Sequence, residues 1–145
     1  MGSKPRILGL DVGDKRIGVA ISDPLGITAS GLETINRRNS DYDLQTIKDI
    51  IDRHSIVEIV IGLPLNMNGS IGDQAIRTQS FGKRLAQYTN LPVIYEDERL
   101  STVSAIRTLV AVGKKSGRNK GLKDKVAAAI ILQKFLDKNS PQTGA

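Results

Sequence analysis

The chain has 145 residues, enough for one domain with a substantial core, and it contains no cysteine, no tryptophan and a single histidine, His54. Disulfides, thiol catalysis and cysteine-bound zinc are thereby excluded, and one histidine cannot build a multi-histidine metal site. Lysine and arginine number 21 against 15 aspartates and glutamates, a net charge of +6 that favours polyanionic partners, while three tyrosines and two phenylalanines are too few for a base-stacking platform.

In chain order, the opening MGSKPR has neither an apolar signal core nor a myristoylation motif, and no window of about 18 apolar residues is present to span a bilayer. The expectation is a cytoplasmic protein with no membrane partner. Ile7 to Leu10 and Ile17 to Ser22 flank the turn-rich VGDKR, which predicts a hairpin. A third strand is predicted from Ile27 to Ile35, after the Asp23-Pro24 turn. Ser40 with Asp43 reads as a capping box ahead of Leu44, Ile47 and Ile51 at helical spacing. The β-branched VEIVIGLP, residues 57–64, predicts a strand; Phe81, Leu85 and Tyr88 mark a second helix, and LPVIYE, residues 91–96, a further strand. Val103, Ile106 and Leu109 stripe a third helix that Gly113 ends.

From Gly113 to Lys125 the sequence GKKSGRNKGLKDK carries six basic residues and one acid, and predicts a mobile loop running into a last helix over residues 123–137. The VAAAIIL of that helix is apolar on every side, so the helix is predicted to be covered all round. Residues 1–138 then form one domain and residues 139–145 a flexible tail. The element order predicts an α/β fold, a three-strand antiparallel meander followed by right-handed βαβ crossovers, giving one mixed sheet with helices on both faces. Ribonuclease H-like folds share this order.

Three carboxylates fall where elements begin or end. Asp11 closes the first strand, Glu98 follows the strand of residues 91–96, and Asp124 opens the last helix. If the first strand and the strand before Glu98 are parallel neighbours, their carboxyl ends share an edge, which is where open α/β sheets place ligands. Converging carboxylates need a shared proton or cation. An all-oxygen set suits Mg²⁺ or Mn²⁺, and two such ions about 3.5–4 Å apart support phosphodiester cleavage without cysteine or histidine. Each acid also has a plainer reading: Asp11 as the cap of an Asp-x-Gly turn, Asp124 as a helix N-terminal acid, and Glu98 as the surface partner of Arg99. The basic run containing Lys114, Lys115, Arg118 and Lys120 is either a solvated loop or a grip on phosphates beside Asp124. GLPLNMNGS, residues 62–70, with Asn66 and Asn68, is either a connection or a substrate loop at the same edge, and His54 at a helix end reads as structural.

DVGDKRIGVAISD, VIGLPLNMNGSIG, DERLST (residues 97–102) and DKVAAAIILQ (residues 124–133) together resemble the YqgF family, in the family's order and over roughly residues 5–137. Its members are described as Holliday junction resolvases and as pre-16S rRNA nucleases. The resemblance implies a ribonuclease H-like fold related to RuvC resolvases and a divalent-metal site formed by Asp11, Glu98 and Asp124. The expected activity is metal-dependent hydrolysis of phosphodiester bonds in structured nucleic acid, either precursor rRNA or branched DNA. Lys15, Arg16, Arg99 and the basic loop are expected to hold the backbone. Trimming one RNA strand needs only a monomer, whereas symmetric junction cleavage needs a homodimer. A non-catalytic nucleic-acid or ribosome-associated binding protein is the alternative. An actin-like ATPase would need a second lobe.

Overall fold

β1 (Arg6–Val12) and β2 (Arg16–Ser22) form the hairpin expected at the start, antiparallel and in register from Leu8–Ile21 to Val12–Ile17. The Gly13 N–H donates to the Arg16 carbonyl at 2.9 Å and closes the turn. β3 (Ala29–Asn36) pairs antiparallel with β2. It starts later than Ile27 because Asp23 Oδ1 accepts from the Ile27 and Thr28 amides, at 2.7 and 3.0 Å, and keeps both residues in the turn. The computed structural model describes residues 5–99 and 118–139, with residues 118–120 described by their backbone alone. The stripe of Val103, Ile106 and Leu109, the basic Lys114 and Lys115, and the tail beyond Asn139 lie outside the described residues.

α1 (Ser40–His54) is capped by Asn39 rather than Ser40: the Asn39 side chain accepts from the Tyr42 amide at 2.8 Å. Asp43 turns back instead, accepting from the Arg38 amide at 3.1 Å and from Arg37 Nε at 3.0 Å. β4 (Ile56–Leu63), α2 (Asp73–Thr89) and β5 (Val93–Asp97) follow as the alternating pattern predicts. Phe81 and Leu85 of α2 are buried, but Tyr88 is exposed and donates to Gln45 of α1.

The strand order is β3-β2-β1-β4-β5, with β1–β4 and β4–β5 parallel. β1 and the strand before Glu98 are therefore not neighbours; β4 stands between them. α1 and α2 pack on one face, where Leu8, Leu10, Ile17, Ile47, Ile59 and Leu85 form the larger core. On the other face lies α3 (Arg118–Asn139), which is helical from Arg118 rather than from residue 123. Packing on the sheet offsets the cost of about 1 kcal/mol that Gly121 imposes inside a helix.

α3 crosses the sheet obliquely. Near its start the Thr34 hydroxyl of β3 donates to the Gly121 carbonyl at 2.6 Å, and near its end Lys138 reaches the buried Glu96 of β5 at 3.1 Å. Ala127, Ala128, Ile131, Leu132, Phe135 and Leu136 are buried against the strands. The helix is not covered all round: Leu122 and Val126 are exposed, because only one of its faces meets the sheet.

Candidate active site

Acids and glycines alternate along one row of the sheet. Asp11 pairs with Gly18 of β2 on one side. On the other side, one residue beyond the Leu10–Ile61 pair, it stands next to Gly62 of β4. Side chains alternate between the faces of a strand. Gly9 meets Ala128 and Leu132, so Asp11, two residues on, also faces α3. The two glycines open the space that flanks it. A Cβ on Gly18 would overlap the Asp124 carbonyl oxygen, and a Cβ on Gly62 would lie 2.5 Å from Glu98 Oε2. The intervening β4 thus presents no side chain at the position where Glu98 must pass over it.

Asp11 and Glu98 are both buried, at 6% and 4% exposure, which removes the plainer reading of Glu98 as a surface group. The Glu98 amide donates to the Leu63 carbonyl at 3.2 Å, which ties this residue to the carboxyl end of β4. Asp124 lies well inside α3, not at its first turn, so the macrodipole does not explain it. Its Oδ2 accepts from Arg16 Nε at 2.6 Å, in a pair whose side chains are 22% and 32% exposed. As the side chains stand, no three histidine, aspartate or glutamate groups among the described residues form a set that could hold a metal ion. The backbone brings Asp11, Glu98 and Asp124 to one row on one face, and Arg16 takes up the third carboxylate.

The expected backbone-binding residues are more scattered. Lys15 is exposed at the tip of the hairpin. Arg99 pairs with Asp97 through two contacts to Oδ2 at 2.9 and 3.0 Å, and it also donates to the Met67 carbonyl at 3.2 Å. The hydrogen bond from Arg99 is the main cause that holds the Asp97 carboxyl below its ordinary range, and Arg99 is pushed upward in turn. Asn66 and Asn68 organise their own loop: Asn66 Nδ2 donates to the Ser70 hydroxyl at 2.9 Å, and Asn68 Oδ1 accepts from the Ser70 amide at 2.9 Å. Arg118 and Lys120 belong to α3 rather than to a loop. His54 is the last residue of α1. Sequence reasoning passed over Gly18 and Gly62, although a glycine inside a β-branched run is itself the mark of a close approach.

Residues 5–138 match the model of the family described as RuvX: Holliday junction resolvase. The chain belongs to this family. Among curated relatives of this RuvX-family chain, a protein of Gloeobacter violaceus named "Putative pre-16S rRNA nuclease" is 56% identical over 90% of this chain and 83% of its own length. One of the same name from Moorella thermoacetica is 50% identical over 92% of this chain and 95% of its own length. Similar solved structures include Thermus thermophilus RuvC in complex with a Holliday junction substrate, with TM-score 0.58 and 12% identity over 94% of this chain and 98% of that one. Fowlpox virus resolvase with its substrate Holliday junction DNA gives TM-score 0.53 and 11% identity over 94% and 99%. The RuvX-family chain thus has the ribonuclease H-like fold that its element order predicts, with the likeness to RuvC that the family resemblance implies.

Proposed function

We propose that this chain is a divalent-metal-dependent nuclease that hydrolyses phosphodiester bonds in structured nucleic acid, with precursor 16S rRNA as its substrate. The observation that carries the reading is the row Gly18–Asp11–Gly62, which gathers the Asp124 backbone and the Glu98 carboxylate around a buried aspartate. The substrate follows the relatives named for rRNA, which are 47–56% identical, whereas the likeness to junction-bound resolvases lies in the fold.

The residue types suit the cation, although the side chains as they stand do not form a closed set around one point. Two buried carboxylates and a third beside them offer hard oxygen atoms in the number that Mg²⁺ or Mn²⁺ takes from protein when substrate phosphates complete the shell. The chemistry such a cation supplies when bound is activation of water and stabilisation of charge on the departing oxygen. Asp11 and Glu98 would hold the cation from positions buried away from bulk water. Asp124, now paired with Arg16, would be the third residue to hold it, and Arg16 would then be available to a phosphate oxygen. Lys15, Asn66, Asn68, Arg99, Lys114, Lys115, Arg118 and Lys120 hold the flanking backbone in this reading.

The test incubates the purified protein and Asp11→Asn with precursor 16S rRNA and with a four-way DNA junction, in Mg²⁺ and in chelator. Cleavage of the rRNA by the parent in Mg²⁺ only, lost in the variant while binding persists, is the expected result. Cleavage of the junction alone would reassign the substrate. Bound but intact substrates throughout would replace the nuclease with a binding protein.

A further inference from the structure

The reverse face of the same sheet edge carries a cavity that the proposed chemistry does not use. Neighbouring residues of a strand point to opposite faces, so Val12 opens away from the side that Asp11 faces. Val12 lies in the wall of a cavity of about 240 Å³ between the β1–β2 turn and α2. Three guanidinium groups, Arg37, Arg77 and Arg84, line it together with Ser80, and Asp14 is the only acid among the described lining residues.

The three arginines are held differently. Arg37 is fixed: its Nε donates to Asp43 at 3.0 Å, its Nη1 to the Gly13 carbonyl at 2.8 Å, and its guanidinium lies 5.0 Å from the Phe81 ring centroid. Buried Asp43 offsets its charge. Arg77 and Arg84 have neutral hydrogen-bond acceptors among the described residues, Gln74 Oε1 at 2.6 Å and the Ser40 hydroxyl at 2.8 Å. Among the described residues the one carboxylate in an ion pair with Arg77 is Asp14 at 3.8 Å, and both side chains are largely exposed, so that pair contributes little. Each guanidinium has five N–H donors, so Arg77 and Arg84 retain capacity for an incoming anion.

We propose that this cavity is a second phosphate site, taking one phosphodiester group of the strand that passes Asp11. The inference rests on the nuclease reading above and extends it to the path of the strand. The cavity is smaller than the roughly 300–1,000 Å³ of small-molecule sites, and planar guanidiniums match phosphate oxygens in pairs. Its wall begins one residue from Asp11. A strand leaving the acid row across the carboxyl edge of the sheet passes exposed Lys15 at the hairpin tip and then meets Arg77 and Arg84. Such a contact fixes register without reading bases.

The experiment measures binding of a fluorescein-labelled precursor-rRNA duplex by anisotropy, in chelator, as a function of salt. It compares the parent, Arg77→Gln/Arg84→Gln, and a control that removes two positive charges elsewhere, Lys48→Gln/Arg53→Gln. Arg53 stands thirteen residues along α1 from Ser40, which is about 20 Å away at the helical rise of about 1.5 Å per residue. Arg77 and Arg84 are exposed, so the fold should persist, and a melting curve checks it. The expected result is weaker binding and a log–log salt slope shallower by about 1 to 2 in the Arg77/Arg84 variant, with the control close to the parent. Equal slopes for all three proteins would overturn this proposal alone. Failure of the parent to bind any duplex would overturn it together with the nuclease reading. Stabilisation of the parent by inorganic phosphate at matched ionic strength, with no difference in duplex slope, would assign the cavity to a free anion and overturn the backbone assignment.

Discussion

Glu98 Oε2 stands 2.5 Å from the place that a Cβ on Gly62 would occupy, and Ile131 Cδ1 stands equally close to it. A methyl group at Gly62 therefore has to displace the carboxylate, the isoleucine or both. Overpacking of this kind costs about 1–3 kcal/mol. Gly62→Ala should lower the free energy of unfolding by that amount in a denaturant titration and weaken Mn²⁺ binding at least tenfold by calorimetry. Gly18→Ala makes the complementary case. Its Cβ would overlap the Asp124 carbonyl, a backbone atom that cannot swing aside, so α3 must lift from β2 and the loss of stability should be the larger of the two. Unchanged Mn²⁺ affinity in Gly62→Ala would separate Glu98 from the metal site.

Arg16 and Asp124 are paired at 2.6 Å while their side chains remain 32% and 22% exposed. Partial solvent screening keeps the stabilisation from such a pair to at most about 1 kcal/mol. Its weight lies in competition, because a carboxylate that accepts from a guanidinium is not offered to a cation. Arg16→Gln should therefore change the unfolding free energy little and raise Mn²⁺ affinity several-fold, with weaker binding of nucleic acid. A fall in Mn²⁺ affinity would show that Arg16 orients Asp124 for the cation rather than competing for it.

The parts of this molecule that were legible in sequence are those set by local pattern. The hairpin of β1 and β2 shows in two apolar runs around VGDKR, and the alternation after Ser40 shows in the switch from helical spacing to β-branched runs. Asp11, Glu98 and Asp124 stood out because acids seldom close apolar elements. Hidden were the contacts made across the sheet. That β4 separates β1 from β5 is a matter of strand order, and no residue of 91–96 states its neighbour. The Arg16–Asp124 pair joins residues 108 apart in sequence. The helical state of Arg118 to Lys123 depends on packing over β3, which overrides the loop character of a glycine- and lysine-rich run. Arg37, which lies between β3 and α1, meets Arg77 and Arg84 of α2 only because α1 and α2 share a face.

Asp23 gives a test by pH that is remote from the acid row. The Thr28 amide, and after it those of Ile27 and Leu25, hold its carboxyl below the ordinary 3.8. A carboxyl lowered in the folded state contributes stability that is fully present above its unfolded value and is lost as pH falls through the folded value. Asp23→Asn keeps an acceptor for the turn but not the charge. The stability difference between parent and variant should be constant at neutral pH and shrink as pH drops below about 4, measured by denaturant titrations across that range. A difference that grows on acidification would contradict the assignment.

Asp43 is 1% exposed and accepts from Arg37 Nε at 3.0 Å and from the Arg38 amide at 3.1 Å. Removing one partner of a buried pair leaves the other charge uncompensated, at a cost of about 3–5 kcal/mol. The Arg37 side chain is 23% exposed and recovers part of that from water, so Asp43→Ala should fall near the lower end. Asp43→Asn should cost less, because an amide oxygen can still accept from Arg38. Arg37→Met in the Asp43→Ala background removes the stranded charge and should restore part of the stability, giving a coupling that a double-mutant cycle resolves. The same cycle bears on the arginine cavity. Arg37 also donates to the Gly13 carbonyl, so it ties the start of α1 to the β1–β2 turn. Asp43→Ala leaves the charge of Arg37 uncompensated in the cavity wall and should make the duplex salt slope steeper, whereas adding Arg37→Met should reverse that change.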